Sequence, residues 1–283
     1  MTTIRRASAV FRFLQFPIVW LIIGLIVVGA VSVFVGLGPV AAVICAAVAV
    51  VAYWAVMRCV ARRATPELAL GGALRDALVG VAIGAGFLVV SVGIITLLGG
   101  YRFTFDGAAG LGALPALIAV AIGGAVTEEL LFRGLILQAI EKLGGSWIAF
   151  VASAVLFGLV HAANPGATLW SSIAIAVEAG GLIGAAFLWR RSLWLAFALH
   201  ATWNGLEQAF GIPVSGHVDP GLMIATVHGP AALTGGEFGV EASVVTVLVS
   251  LVLTTVMLIA ARRRGSLVPL ARRTRRDAVV QPA

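Results

Sequence analysis

The feature that most limits what this chain can fold into is a succession of long apolar runs with arginines gathered between them. Candidate spans lie at approximately 17–36, 40–57, 77–98, 113–140, 147–162, 168–189, 193–210 and 240–261. Each is close to the roughly 20 residues that a helix needs to cross a hydrocarbon core. In that core every backbone polar group must be satisfied internally, and a helix does so within one segment. The expected fold is therefore all-α: a polytopic integral membrane protein of about eight transmembrane helices with an intramembrane cavity. Composition agrees, with 61% hydrophobic and 11% charged residues, where a soluble domain carries about 25% charged residues.

The charges between the runs set a topology. Arg5, Arg6 and Arg12 precede the first span; Arg58, Arg62, Arg63 and Arg75 follow the second; Lys142 follows the fourth; Arg190 and Arg191 follow the sixth; Arg262, Arg263 and Arg264 follow the eighth. Every cluster falls on one side, which the positive-inside rule makes cytoplasmic, with Arg102 the lone exception. Both termini are then cytoplasmic, and the loops at 37–39, 99–112, 163–167 and 211–239 face the other way. Basic residues at the ends of apolar runs are topology signals, so a nucleic-acid partner is not expected. Lys142 is the only lysine, and the bias toward Ala, Gly, Val and Arg reads as a GC-rich bacterial genome. The expected location is a bacterial cytoplasmic membrane. The first apolar stretch is too long for a signal peptide and is read as a retained helix, with Phe11, Phe13, Leu14 and Phe16 beginning as an interfacial segment. The seven arginines from Arg262 to Arg276 read as an anchor on anionic lipid. Cys45 and Cys59 read as packing residues, not as a disulfide framework.

Three polar clusters interrupt the apolar background. Ionisable groups at such depth are costly and usually functional. The first, Glu128-Glu129-x-x-x-Arg133, follows the glycine pair Gly123-Gly124, which can break or crowd the helix. Neighbouring side chains point about 100° apart, so the two glutamates serve different ends. Glu129 and Arg133 at i and i+4 can pair, a structural role. Glu128 is left toward the side of Leu131, Leu135 and Gln138, free to act on water. The second cluster sets Phe157 and His161 on one helical face. The third sets His200, Trp203, Asn204 and Glu207 on one stripe, where an imidazole and an amide can donate to a developing oxyanion. Packing by interhelical hydrogen bonds is the plain alternative, and it explains Asn204 better than His200.

Taken in order, Glu128-Glu129-x-x-x-Arg133, Phe157-x-x-x-His161 and His200-x-x-x-Asn204 resemble the CPBP family of intramembrane glutamic endopeptidases. That family includes the type II CAAX prenyl endopeptidases and the Abi or bacteriocin-immunity proteins. The likeness covers roughly residues 113 to 208. It implies that Glu128 is the base activating water, that His161 helps to position it, and that His200 and Asn204 form the oxyanion hole. Glu129, Arg133 and Phe157 support the site. It also implies an eight-helix fold, no metal or organic cofactor, a peptide or membrane-protein substrate, and a cavity open to the cytoplasm. The chain then divides into N-terminal helices at 1–112, a protease core at 113–210, a non-cytoplasmic loop at 211–239, a last helix at 240–261 and a basic cytoplasmic tail at 262–283. In a bacterium, leader peptides, membrane-associated peptides or regulatory membrane proteins are better substrate guesses than prenylated proteins.

Three features stand outside the resemblance. Glu178 is an extra intramembrane acid. His161 falls near the non-cytoplasmic edge of its span whereas Glu128 falls near mid-span. The long loop from Gly211 to Gly239, with His217, Asp219, His228 and Glu237, could form a lid. Other function classes weighed are a non-proteolytic binding or immunity protein, a zinc protease using Glu129, His161 and His200, and a transporter. A transporter should show repeated halves, which the sequence lacks.

Overall fold

The computed structural model describes residues 13–270. Phe11, the arginines at 5, 6 and 12, and the tail arginines at 272, 273, 275 and 276 lie outside the described residues. Helix α1 is Pro17–Ser32 and α2 is Pro39–Ala55, each started by a proline whose missing N–H costs nothing at that position. Helix α3, Ala73–Leu97, follows. A strand β1, Tyr101–Phe105, leads into α4, Gly107–Glu129, which passes through a widened π-helical stretch, Leu130–Ile136, into α5, Leu137–His161. Helix α6, Leu169–Ile175, opens on a Thr168/Ser171 capping box and continues through a further π-helical stretch, Ala176–Ile183, into α7, Gly184–Arg190. Helix α8 is Leu193–Ala209. Strand β2, Met223–Val227, a short α9, Ala231–Thr234, and α10, Val244–Arg263, complete the fold.

The protein is thus an all-α polytopic membrane protein. Among the described residues, six helical stretches are long and apolar enough to cross a membrane, against eight spans expected. Two physical facts account for the difference. The run Gly110–His161 is 52 residues long and takes in two expected spans; the chain breaks inside it at Gly145, whose φ of 77° is left-handed. Helix α8 has only 17 residues and is embedded between its neighbours. One of those neighbours, α3, comes unusually close. A Cβ on Gly80 or Gly84 would lie 2.4 Å from the Leu195 carbonyl or 2.5 Å from the Leu199 carbonyl. Backbones that approach so closely are a common way to join membrane helices. The pair Gly123-Gly124 does not break α4; Gly123 crowds it against α2, where a Cβ would meet that of Ala42 at 2.7 Å.

The two ends of the bundle are built differently. At the basic end, Arg191 grips both oxygens of Glu141 at 2.6 and 2.8 Å and also donates to the Ser266 carbonyl. Arg190 pairs with Asp76, and Arg63 pairs with Glu67 at 2.8 Å while reaching Gln138 at 2.9 Å. The chain after α10 returns here, where Ser146 and Val268 exchange hydrogen bonds of 2.9 and 2.8 Å across the break at Gly145. At the opposite end, two segments expected to be loops pair as a small antiparallel sheet, Tyr101 opposite Val227 through Phe105 opposite Met223. Arg102 lies in that sheet. The Tyr101 hydroxyl donates to the Thr234 carbonyl, and Asn164 Nδ2 to the Ser215 carbonyl at 3.0 Å. The 211–239 segment is therefore a packed cap.

Candidate active site

Glu128 and Glu129 are the last residues of α4, immediately before its π-helical stretch. Such wide turns occur frequently at functional sites. Here the turn alters the expected geometry. Glu128 does face the side of Leu131, but Leu135 is fully buried against Gly24 of α1. Gln138 turns to the basic end, where it meets Tyr53 and Arg63. A stripe computed at 100° per residue does not survive the wide turn.

Glu129 and Arg133 pair as the spacing predicts, Oε1 to Nη1 at 2.8 Å with both side chains fully buried. The same Oε1 accepts from His200 Nδ1 at 2.8 Å, so Glu129 also orients an imidazole on α8. Arg133 extends further, donating Nη2 to the carbonyls of Ala179 and Gly180 in the π-helical stretch Ala176–Ile183. Those carbonyls come within reach because glycines bring α5 and the 169–183 helix together; a Cβ on Gly158 would lie 2.3 Å from the Ser172 carbonyl. Phe157 fills the centre. Its ring lies 5.0 Å under the Arg133 guanidinium, stacks on His161 at 4.5 Å and stands 6.2 Å from His200. A cation over an aromatic face is a favourable contact.

His161 Nδ1 lies 2.7 Å from the Phe157 carbonyl. A carbonyl only accepts, so Nδ1 carries a proton and Nε2 of the neutral ring is an acceptor. His200 reads differently: Nδ1 donates to Glu129, and Nε2 stands 4.0 Å from Glu128 Oε2. Asn204 follows one turn later on α8, and its Oδ1 has no partner among the described residues.

Glu128, His161, His200 and Asn204 line one cavity of about 600 Å³. The expected mismatch in depth between His161 and Glu128 disappears, because the cavity runs from mid-bundle up to the capped end. Asn164, Ser215 and His217 from the loops border it there.

Two polar residues of this cavity, Glu241 and Ser215, escaped the sequence reading. Glu241, just before α10, is 2% exposed, and its Oε2 accepts from both the backbone N–H and the hydroxyl of Ser215 at 2.7 Å. Burial raises its carboxyl to about 7. The available signal was an acid at the edge of the last apolar run with no arginine at helical spacing. Glu178 and Glu207 are also fully buried; Glu207 accepts from Trp203 Nε1 at 3.1 Å, whereas neither oxygen of Glu178 has a hydrogen-bond partner among the described residues. Glu178 does not line the cavity. No group of three or more His, Cys, Asp or Glu side chains is arranged to hold a metal ion among the described residues.

Residues 110–206 match the family model of type II CAAX prenyl endopeptidase Rce1-like proteins. The match holds all three polar motifs and agrees with the CPBP/CAAX protease resemblance read from them. At family level it indicates a membrane peptidase of the CAAX type. Neither the curated proteins nor the solved structures gave a match.

Proposed function

We propose that this protein is an intramembrane endopeptidase in which Glu128 activates water for attack on a peptide carbonyl. One observation carries the reading: Glu128, His161, His200 and Asn204 come from three separate helices yet line a single cavity. Glu128 takes a proton from water, and the oxygen attacks the carbonyl carbon. The acceptor Nε2 of His161 orients that water. The oxyanion is met by the Asn204 amide and by Nε2 of His200 in its doubly protonated form, which the Glu129 carboxylate at Nδ1 favours. Collapse of the tetrahedral intermediate breaks the C–N bond, and Glu128 returns its proton to the departing amine. Arg133 and Phe157 hold this arrangement by fixing Glu129 and both imidazoles.

The substrate is a peptide or a membrane-protein segment within or beside the bilayer. With the arginine-rich end turned to the cytoplasm, the loop residues Asn164, Ser215 and His217 that border the cavity lie toward the opposite face. Cys59 is exposed at the basic end. A membrane-impermeant thiol reagent added to intact cells should leave Cys59 unlabelled until the membrane is opened, and immediate labelling would reverse the orientation.

The deciding experiment is cleavage of a membrane-peptide library by purified protein in nanodiscs. Wild type should cut and Glu128→Ala should not, with chelator leaving the wild-type rate unchanged. Loss of activity on chelation, restored by zinc, would replace the glutamate mechanism with a metal one.

A further inference from the structure

The cavity has a charge that its own walls do not balance. Two carboxylates, Glu128 and Glu241, line it; among the described residues no lysine or arginine does, and of its three histidines only His200 is charged in the proposed mechanism, where it stands beside Glu128. Arg133, the nearest buried guanidinium, is already engaged by Glu129 and by two carbonyls. Glu241 is held in a defined pose: both donors of Ser215 bind Oε2, while Oε1 has no hydrogen-bond partner among the described residues and is not fully enclosed. One carboxylate oxygen therefore remains presented to the cavity. A carboxylate in a low-dielectric recess attracts a cation far more strongly than one in water. The two Ser215 donors also favour its charged form.

We infer that Glu241 is a specificity residue that receives a positively charged group of the substrate, a lysine or arginine side chain close to the scissile bond. This deepens the peptidase reading and rests on it for the word "scissile", but the binding preference itself does not need turnover. Glu128 attends to the water while Glu241, on a different element, attends to the charge. The division matches their surroundings: Glu128 stands beside His200 Nε2, whereas Glu241 is anchored by a serine from the cap. The cap at 211–239, together with the turn Val240–Ala242 that it anchors, is then the part of the molecule that chooses among substrates, and it lies outside the matched segment at 110–206.

The test uses full-length protein in nanodiscs and a matched pair of fluorescent hydrophobic peptides that differ only in lysine or norleucine at one central position. Binding is measured on Glu128→Ala protein, and cleavage on protein with Glu128 intact. The lysine peptide should bind about tenfold more tightly, a difference of about 1.4 kcal/mol. Adding Glu241→Gln should bring the ratio close to one, and Ser215→Ala should give an intermediate ratio. Equal binding of both peptides, or a preference that survives Glu241→Gln, overturns the inference. If wild type cleaves both peptides equally well, the inference falls and the peptidase stands. If the lysine peptide binds selectively but no peptide is cut, the peptidase falls and the inference stands.

Discussion

The acids at the basic end and the acids around the cavity obey opposite rules. Glu67, Asp76 and Glu141 each meet an arginine, and each pair links elements distant in the chain or closes a turn. Among the described residues, Glu128 and Glu241 of the cavity have no arginine within ion-pair distance, and neither do Glu178 and Glu207, which are buried in the interior without lining it. Burying a charge without a partner is expensive, and a fold tolerates it where the group has work to do or keeps its proton. Glu129 is the instructive intermediate. It has an arginine, as at the basic end, but spends the same oxygen on His200, which lines the cavity. In the proposed reading, charge in this bundle is neutralised where it holds helices together and left unpaired at the cavity, where a substrate would supply the complement.

The largest test of that contrast is Glu128→Ala. Its cleavage rate should fall by about 10³-fold, the scale of a lost general base, while thermal unfolding in detergent stays near wild type. A matching collapse in stability would instead make Glu128 a structural acid. Next comes Arg133→Ala, which strands Glu129 in the interior. It should cost about 3–5 kcal/mol in a denaturant titration, with activity lost alongside. A mild effect would mean that His200 alone can satisfy Glu129.

A third test uses pH. Burial holds the Glu241 carboxyl at about 7, above the ordinary 4.5, with Glu207, Glu178, Glu128 and His200 as its titratable surroundings. Between those two values the folded protein keeps a proton that the unfolded chain has released. The stability from this group is fully present below pH 4.5 and declines as pH rises toward 7. Melting temperatures across that window should fall with rising pH, and Glu241→Gln should flatten the slope. The smallest effect belongs to the basic end. Glu141→Gln weakens a pair whose arginine is 30% exposed, and it should cost about 1 kcal/mol or less without altering cleavage of a bound peptide.

How much of this could be read in advance followed the geometry of each signal. Membrane class, helix order and the three motifs were legible because each depends on spacing inside one helix or one apolar run. The Glu129–Arg133 pair is the clearest instance. The reach of Glu129 to His200 was not legible, since it joins residues 71 positions apart across two helices. The packing within the 211–239 loop was not legible because β1 and β2 are five-residue strands that, among the described residues, pair only with each other. Glu241 was overlooked for a similar reason: its anchor, Ser215, lies 26 residues earlier in a segment without helical periodicity. The misplacement of Leu135 and Gln138 has a single cause, the π-helical stretch, which no residue pattern announced.

That stretch has one more consequence. An ordinary helix is a screw that advances about 100° per residue, and a π-type turn commonly holds one residue more than that thread requires. The surplus acts as a phase shifter between two halves of one continuous rod: Glu128 and Glu129 ride on the upper thread, Gln138 and Glu141 on the lower. Removing a single residue between Leu130 and Ile136 would return the rod to one thread and swing the upper half through about 100° relative to the basic end. Glu128, the proposed water-activating acid, and the anchored base of the bundle would then no longer be able to face their partners at the same time.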